Sequence, residues 1–265
     1  MASEVEVRRE APKIIQSLDK GLALLDFLAA EGRSVGLSEL ARKFGWDKSG
    51  VFRLLSTMVR RGYVEQDPQS GRYRLGLRVL ELAGVLSRSL DIRVQAAPTL
   101  EALALNSRET SHLAVLRQGE VLIIDQQSSP EMIAANTFVG MREPAHCTAL
   151  GKVLLAFLSE EKLDDLIEGK GLRRYTGRTI VRADDLKRHL AKVREDGYAF
   201  DNEEYDVGVR CLAAPVRNSD GKVVAAVGIS GPASRLTFDQ LERYAALVKA
   251  ASEEVSGRLG YHRNA

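Results

Sequence analysis

The sequence is poor in cysteine: Cys147 and Cys211 are the only two among 265 residues. Two thiols cannot build a disulfide framework or an all-cysteine structural zinc site, and their scarcity fits a reducing compartment, the cytoplasm. No apolar run reaches the roughly 18 to 20 residues that a membrane-spanning helix requires, so no membrane partner is expected. The opening MASEVEVRREAP is charged and lacks the apolar stretch of a secretory signal, so residues 1–12 read as a flexible tail. With 22 Gly and 7 Pro the chain falls short of low-complexity levels, and 45% hydrophobic and 28% charged residues place it among ordinary globular proteins. There is no internal repeat, and no motif calls for a cofactor or a bound metal.

At roughly 100 to 200 residues per domain the length predicts two domains. The formal charge of +2 says little, but its distribution says more. Residues 13–90 carry 13 Lys/Arg against 8 Asp/Glu, whereas 91–265 carry 23 against 25. The positive excess sits in the N-terminal third, as an electrostatic footprint for a polyanion would.

From Ser17, a possible cap, Leu18, Leu22, Leu25 and Leu28 recur at helical spacing up to Gly32. A second, short helix carries Leu37, Leu40, Ala41 and Phe44, with Ser38 as candidate cap and Gly45 as stop. In KSGVFRLLSTMVRRG, Val51, Leu54, Leu55, Met58 and Val59 form the i, i+3, i+4, i+7, i+8 stripe of a third helix ending at Gly62. YVEQD and RYRL, joined by PQSG, read as a two-stranded hairpin. Residues 77–90, with Leu77, Leu80, Leu82, Val85 and Leu86, read as a linking helix, and the domain boundary falls near Leu90.

Three helices and a basic hairpin over residues 13–76 make a winged helix-turn-helix, whose third helix enters the DNA major groove while the wing lies on phosphates. The chemistry fits. A groove-reading helix needs an apolar side for its core and an opposite side of small donors with an Arg that reaches base edges. The outer face here holds Ser49, Phe52, Arg53, Ser56 and Arg60. Arg53 is positioned to take a guanine, with Phe52 packing against the wing as its alternative role; Lys48, Arg60, Arg72 and Arg74 are candidates for phosphates, and Ser38 joins them from the second helix. A single winged domain reads few base pairs, so a homodimer on a palindromic duplex is expected.

The remainder, 91–265, alternates helical and strand patterns. Residues 92–107 read as a helix that Pro98 should kink or restart. SHLAVLRQGEVLIIDQQ and CLAAPVRNSDGKVVAAVGISG are hairpins, with Leu113, Val115, Leu122 and Ile124 alternating as core. Helices are expected over 148–157, 160–167 (capped by Ser159), 183–195 and 237–259, with a strand over 198–200. The predicted class is α/β in content, of the α+β kind, with a mainly antiparallel sheet. In AHCTALGK, Thr148 is placed to cap a helix whose first amides, those of Ala149 and Leu150, are free to bind a carboxylate or phosphate. A small organic acid is the ligand this predicts. Adjacent His146 and Cys147 open a nucleophile or zinc reading together with Cys211, but no tight ligand spacing supports it. The basic RRYTGRT, 173–179, reads as surface.

KIIQSLDKGLALLDFLA, followed by LSELARKFGWDKSGVFRLLSTMVRRGYVEQDPQSGRYRLG, resembles the N-terminal domain of the IclR family of bacterial transcriptional regulators. HCTALGKVLLAFLS and GYAFDNEEYDVGVRCLAAPVRNSDGKVVAAVGISGP resemble that family's effector-binding domain, a fold similar to the GAF class, so the resemblance runs from about Lys13 to Leu259. It implies no enzyme but a regulator, with a pocket using the amides matching Ala149 and Leu150 and the positions matching Asp201, Val209, Cys211 and Ser230. Gly228 stands where some relatives that bind small keto acids carry a hydroxyl, and Ala149 where they carry Gly. The resemblance also implies dimers that pair further into tetramers. Two other classes compete. One is a small-molecule enzyme using Cys147 or Asp201, its first domain serving only for assembly; the other is a ligand-binding adaptor docking through the trihelical unit.

Overall fold

The computed structural model describes residues 14–89 and 91–261, with the side chains of 86–89 excepted. The expected tail over 1–12 and the expected role of Leu86 lie outside the described residues. The chain divides into two compact units between Ser89 and Leu90.

The first unit comprises α1 (Gln16–Glu31), α2 (Leu37–Phe44), α3 (Lys48–Arg60), β1 (Val64–Gln66), β2 (Tyr73–Leu75) and α4 (Leu77–Ser89). Its core joins Leu24 and Leu28 of α1, Leu40 of α2, Val51, Leu55 and Met58 of α3, and Val35, Val64 and Tyr73 around the hairpin. β1 and β2 pair antiparallel, and Val35 bridges to Tyr73 as a third, single-residue strand. Three expectations are corrected. Ser17 and Ser38 cap nothing: Ile15 and Gly36 hold the cap positions, without a side-chain bond, and both serines fall inside the first turn. On α1 the inward stripe is Leu24 and Leu28, which turns Leu18 and Leu22 outward at 59% and 52% exposure. Val59, in the last turn of α3, is also exposed.

The second unit is a six-stranded antiparallel sheet in the order β5-β4-β3-β8-β7-β6. Its strands are β3 (Thr110–Arg117), β4 (Glu120–Gln127), β5 (Arg142–Pro144), β6 (Ala199–Asn202), β7 (Val209–Arg217) and β8 (Val223–Pro232). Gln118 and Gly119 join β3 to β4 with φ of 53° and 79°, the paired positive φ of a tight hairpin turn. α5 (Asp91–Ser107) and α9 (Leu241–Arg258) cover one face, and α6 (Ala149–Ala156) and α8 (Ala183–Asp196) the other. α7 (Glu160–Lys170) packs beside α6 through Leu163, its N-terminus capped by Ser159.

Strand alternation sorts the two cores. Leu113, Val115, Leu122 and Ile124 face α5 and α9, whereas Ala114, Val121, Ala213 and Ala226 face α6 and α8. Pro98 does not restart α5: the helix runs continuously from Asp91 to Ser107 with the proline inside it. Proline removes one rung of the helix ladder, and the burial of Ala96, Leu100, Leu103 and Ala104 against the sheet and α9 offsets it. β5 went unforeseen because three residues ending in proline show no period.

Candidate nucleic-acid interface and ligand pocket

The outer face of α3 is set by its inner one. With Val51, Leu55 and Met58 in the core, helical geometry directs Lys48, Ser49, Phe52, Arg53, Ser56 and Arg60 to solvent, and all six are exposed. Asp47 fixes the start of the helix, its carboxylate accepting from the Gly50 amide at 2.7 Å and the Ser49 hydroxyl at 2.6 Å. These bonds hold the Asp47 carboxyl below its ordinary range. Phe52 is half exposed.

The basic side chains fall into two groups. Among the described residues Lys48, Arg53 and Arg60 have no salt-bridge partner. The wing arginines have. Arg72 donates through Nε to the Ser34 carbonyl at 3.0 Å and meets Glu39 at 3.3 Å, tying the wing to α2. Arg74 pairs with Glu65 at 3.0 Å, directly across the hairpin. Ser38 lies exposed in the first turn of α2.

In the second unit, Thr148 ends a one-turn 3-10 segment, Ala145–Cys147, and caps α6. Its Oγ1 accepts from the Gly151 amide at 3.3 Å and donates to the Pro144 carbonyl at 3.0 Å. A Cβ on Gly151 would stand 2.2 Å from the Ala145 carbonyl oxygen, so glycine is what lets the helix start against this turn. The amides of Ala149 and Leu150 have no acceptor among the described residues, as the first turn of a helix dictates. They face a cavity of about 120 Å³.

Thr148, Ala149, Leu150, Asp201, Val209, Cys211 and Ser230 are brought together around this cavity. Gly228 is not, which corrects its expected place. It sits in mid-strand between His112 and Ala213, and a Cβ there would lie 2.3 Å from the Leu212 carbonyl oxygen, so its role is to let β7 and β8 approach. Sequence reasoning missed His112 on β3, Glu143 on β5, Tyr205 and Asp206 after β6, and Asn136, Thr137 and Met141 from the loop after β4. His112 was within reach of strand alternation, because Leu113 faces the opposite core.

The electrostatics of the cavity follow from burial. Asp201, 2% exposed, accepts from the Glu204 amide at 2.8 Å and pairs in register with Cys211; desolvation pushes its carboxyl up to about 7. Desolvation likewise raises Glu143 to about 7 and lowers His112 to about 4, so the imidazole is neutral. His112 Nε2 lies 2.5 Å from the Ser230 hydroxyl, and its Nδ1 is buried with no partner. Behind the wall the fully buried Lys152 donates to Glu204 at 2.5 Å and to the Phe200 carbonyl at 2.6 Å.

The Cys147 thiol is buried and pushed up to about 12, chiefly by desolvation and then by Asp201 and Glu204, so thiolate is scarce at neutral pH. His146 turns away, its Nε2 lying 2.9 Å from the Arg173 carbonyl. Among the described residues no group of three or more His, Cys, Asp or Glu is placed to hold a metal ion, and no helix is long and apolar enough to cross a membrane.

Two family models match the chain: "Bacterial transcriptional regulator IclR C-terminal" over residues 84–257 and "IclR helix-turn-helix domain" over residues 17–68. The Transcriptional repressor IclR of Escherichia coli (strain K12) is 38% identical over 248 residues, spanning 93% of this chain and 90% of that protein. The crystal structure of the Thermotoga maritima IclR superposes with a TM-score of 0.75 at 32% identity, over 94% of this chain and all of that one. An IclR homolog from Microbacterium hydrocarbonoxydans, solved in complex with 4-hydroxybenzoate, gives 0.81 at 27% identity, over 92% and 98% of the two chains.

Proposed function

The chain belongs to the IclR family, as a DNA-binding transcriptional regulator with a C-terminal effector domain, and we propose that a small organic acid held at the N-terminus of α6 modulates its affinity for operator DNA. The observation that carries the reading is the division of α3: a buried side of Val51, Leu55 and Met58 backs an exposed side whose cations have no salt-bridge partner among the described residues. Arg53 takes a base edge bidentately, Ser49 and Ser56 permit close approach, and Lys48 and Arg60 contact phosphates. Ser38, Arg72 and Arg74 flank this face, the two arginines by exchanging their acidic partners for phosphate. In the second domain the acid group lies on the amides of Ala149 and Leu150, where the unsatisfied donors and the helix dipole favour an anion. The co-crystallised 4-hydroxybenzoate of the Microbacterium hydrocarbonoxydans homolog is itself a small carboxylic acid, which supports this ligand class.

The working unit is a homodimer on a palindromic site. Leu18 and Leu22 of α1, with Ile14 and Ile15 just before it, leave apolar side chains exposed, and Leu77, Leu80 and Val85 do the same on α4. Faces of that kind ask for cover by a second subunit. A pair of dimers, a cytoplasmic location and the absence of enzymatic chemistry complete the proposal; the high-lying Cys147 thiol supports the last. Selection of duplexes from a random pool by the full-length protein tests it. The expected result is an enriched palindrome whose affinity falls steeply with salt, and recovery of no enriched sequence would overturn it.

A further inference from the structure

The proposed ligand is an anion, yet its cavity is lined by carboxyl groups and by no cation. Glu143 enters from β5, Asp201 from β6 and Asp206 from the loop that follows, and among the described residues no Lys or Arg lines the space. The fully buried cation Lys152 is held by Glu204 and the Phe200 carbonyl. Positive potential therefore comes from one place, the free amides at the start of α6, and one carboxylate fills it.

The rest of the wall is rich in acceptors. The Glu143 carboxyl, half-buried at the cavity wall, takes no hydrogen bond or salt bridge among the described residues, and partial desolvation raises its ionisation. Across the cavity the His112–Ser230 pair leaves one imidazole nitrogen unpartnered, on a side chain 2% exposed. Buried polar groups without partners are costly, and a ligand supplying the missing hydrogen bonds gains what the empty pocket lacks. Size limits the choice. An apolar cavity of about 150 Å³ holds one benzene, so about 120 Å³ suits a ligand of about six non-hydrogen atoms.

We propose that the effector is a small hydroxy-monocarboxylate, its single acid group on the Ala149 and Leu150 amides and its hydroxyl groups donating to Glu143 and meeting the His112–Ser230 pair. Glu143 is the specificity-determining residue. It rewards a donor at the far end of the ligand and repels a second carboxylate. This inference rests on the proposed acid site, from which it adds the distinction among acids.

The test uses the full-length protein and three probes of similar size, D-glycerate, propionate and malonate, each titrated by calorimetry with thermal shift in parallel. D-Glycerate is expected to bind at least about 10-fold more tightly than either of the others, the scale of a hydrogen bond to a charged group. In Glu143→Leu that preference over propionate should shrink to about 3-fold or less. Glu143→Gln, which keeps the shape, guards against misfolding and should weaken repulsion of malonate. Binding of propionate or malonate as tight as that of D-glycerate, or an unaltered preference in Glu143→Leu, overturns the inference while leaving the acid site standing. If none of the three binds while operator DNA is still retained, the acid site itself fails, and the inference with it.

Discussion

The outer face of α3 and the cavity beside α6 both present polar groups to something from outside the chain, but one set lies in water and the other is largely withdrawn from it. Lys48, Arg53 and Arg60 are solvated, so keeping them unpaired costs almost nothing and leaves them ready for DNA. Asp201 and His112 are buried and Glu143 is partly so, and the loss of water around them moves their ionisation by two or three pH units. The wing is the intermediate case, with Arg72 and Arg74 exposed yet matched to Glu39 and Glu65. Solvation, more than charge, separates a group held ready for a polyanion from one held ready for a small ligand.

The largest expected effect breaks this comparison on the buried side. A carboxyl raised from its ordinary value to about 7 makes the folded state bind more protons than the unfolded one between about pH 4 and 7, so stability falls as pH rises through that window. Asp201→Asn keeps an acceptor for the Glu204 amide and removes the titration. Its melting temperature relative to the parent should climb from pH 4 to pH 8, by up to on the order of 4 kcal/mol of stability. His112, lowered to about 4, has the opposite sign: its contribution is lost as pH falls from about 6.5 to 4. His112→Gln should therefore flatten the acid limb that Asp201→Asn leaves. Parallel melting curves for parent and both variants across pH 4 to 8 check the signs, and a variant-independent profile would refute the burial argument.

Next comes the exposed side. Arg53→Ala should cost about 1 to 3 kcal/mol at the specific site and relax the choice of base there, read by anisotropy titrations on matched and mismatched duplexes. An unchanged footprint and affinity would remove Arg53 from base readout. Arg72→Ala sharpens the contrast with the wing. Because Arg72 also ties the Ser34 carbonyl to Glu39, its loss should lower the melting temperature by about 2 to 4 °C as well as weakening all duplexes alike. A loss of DNA affinity with no change in melting would separate the two roles. The smallest effect is Glu65→Ala, which frees Arg74: DNA binding should tighten about twofold at low salt and return to the parent value at high salt.

The exposed face of α3 was legible because one continuous helix carries it and its hydrophobic period fixes which way each side chain points. Thr148 was legible for a related reason, since cap chemistry acts between neighbours in sequence. The cavity wall was not. His112, Glu143 and Tyr205 come from separate segments, and no local pattern announces that β5 lies beside β4 or that β3 pairs with β8. Serine misled at residues 17 and 38 because it is tolerated in the first turn as well as at the cap. Leu18 and Leu22 misled because α1 offers two leucine stripes, and only packing chooses between them. Gly228 was placed in the pocket by likeness to relatives, whereas its pairing with Ala213 gives it a backbone reason to be glycine.

The free donors at positions 149 and 150 are main-chain atoms, so no substitution other than proline can delete them. Mutation can therefore rework the cavity's walls one side chain at a time while the anchor persists unaltered. A regulator built this way can change allegiance from one metabolite to another by drift at sites such as 112 and 143, without passing through an ancestor that has lost its grip on acids altogether.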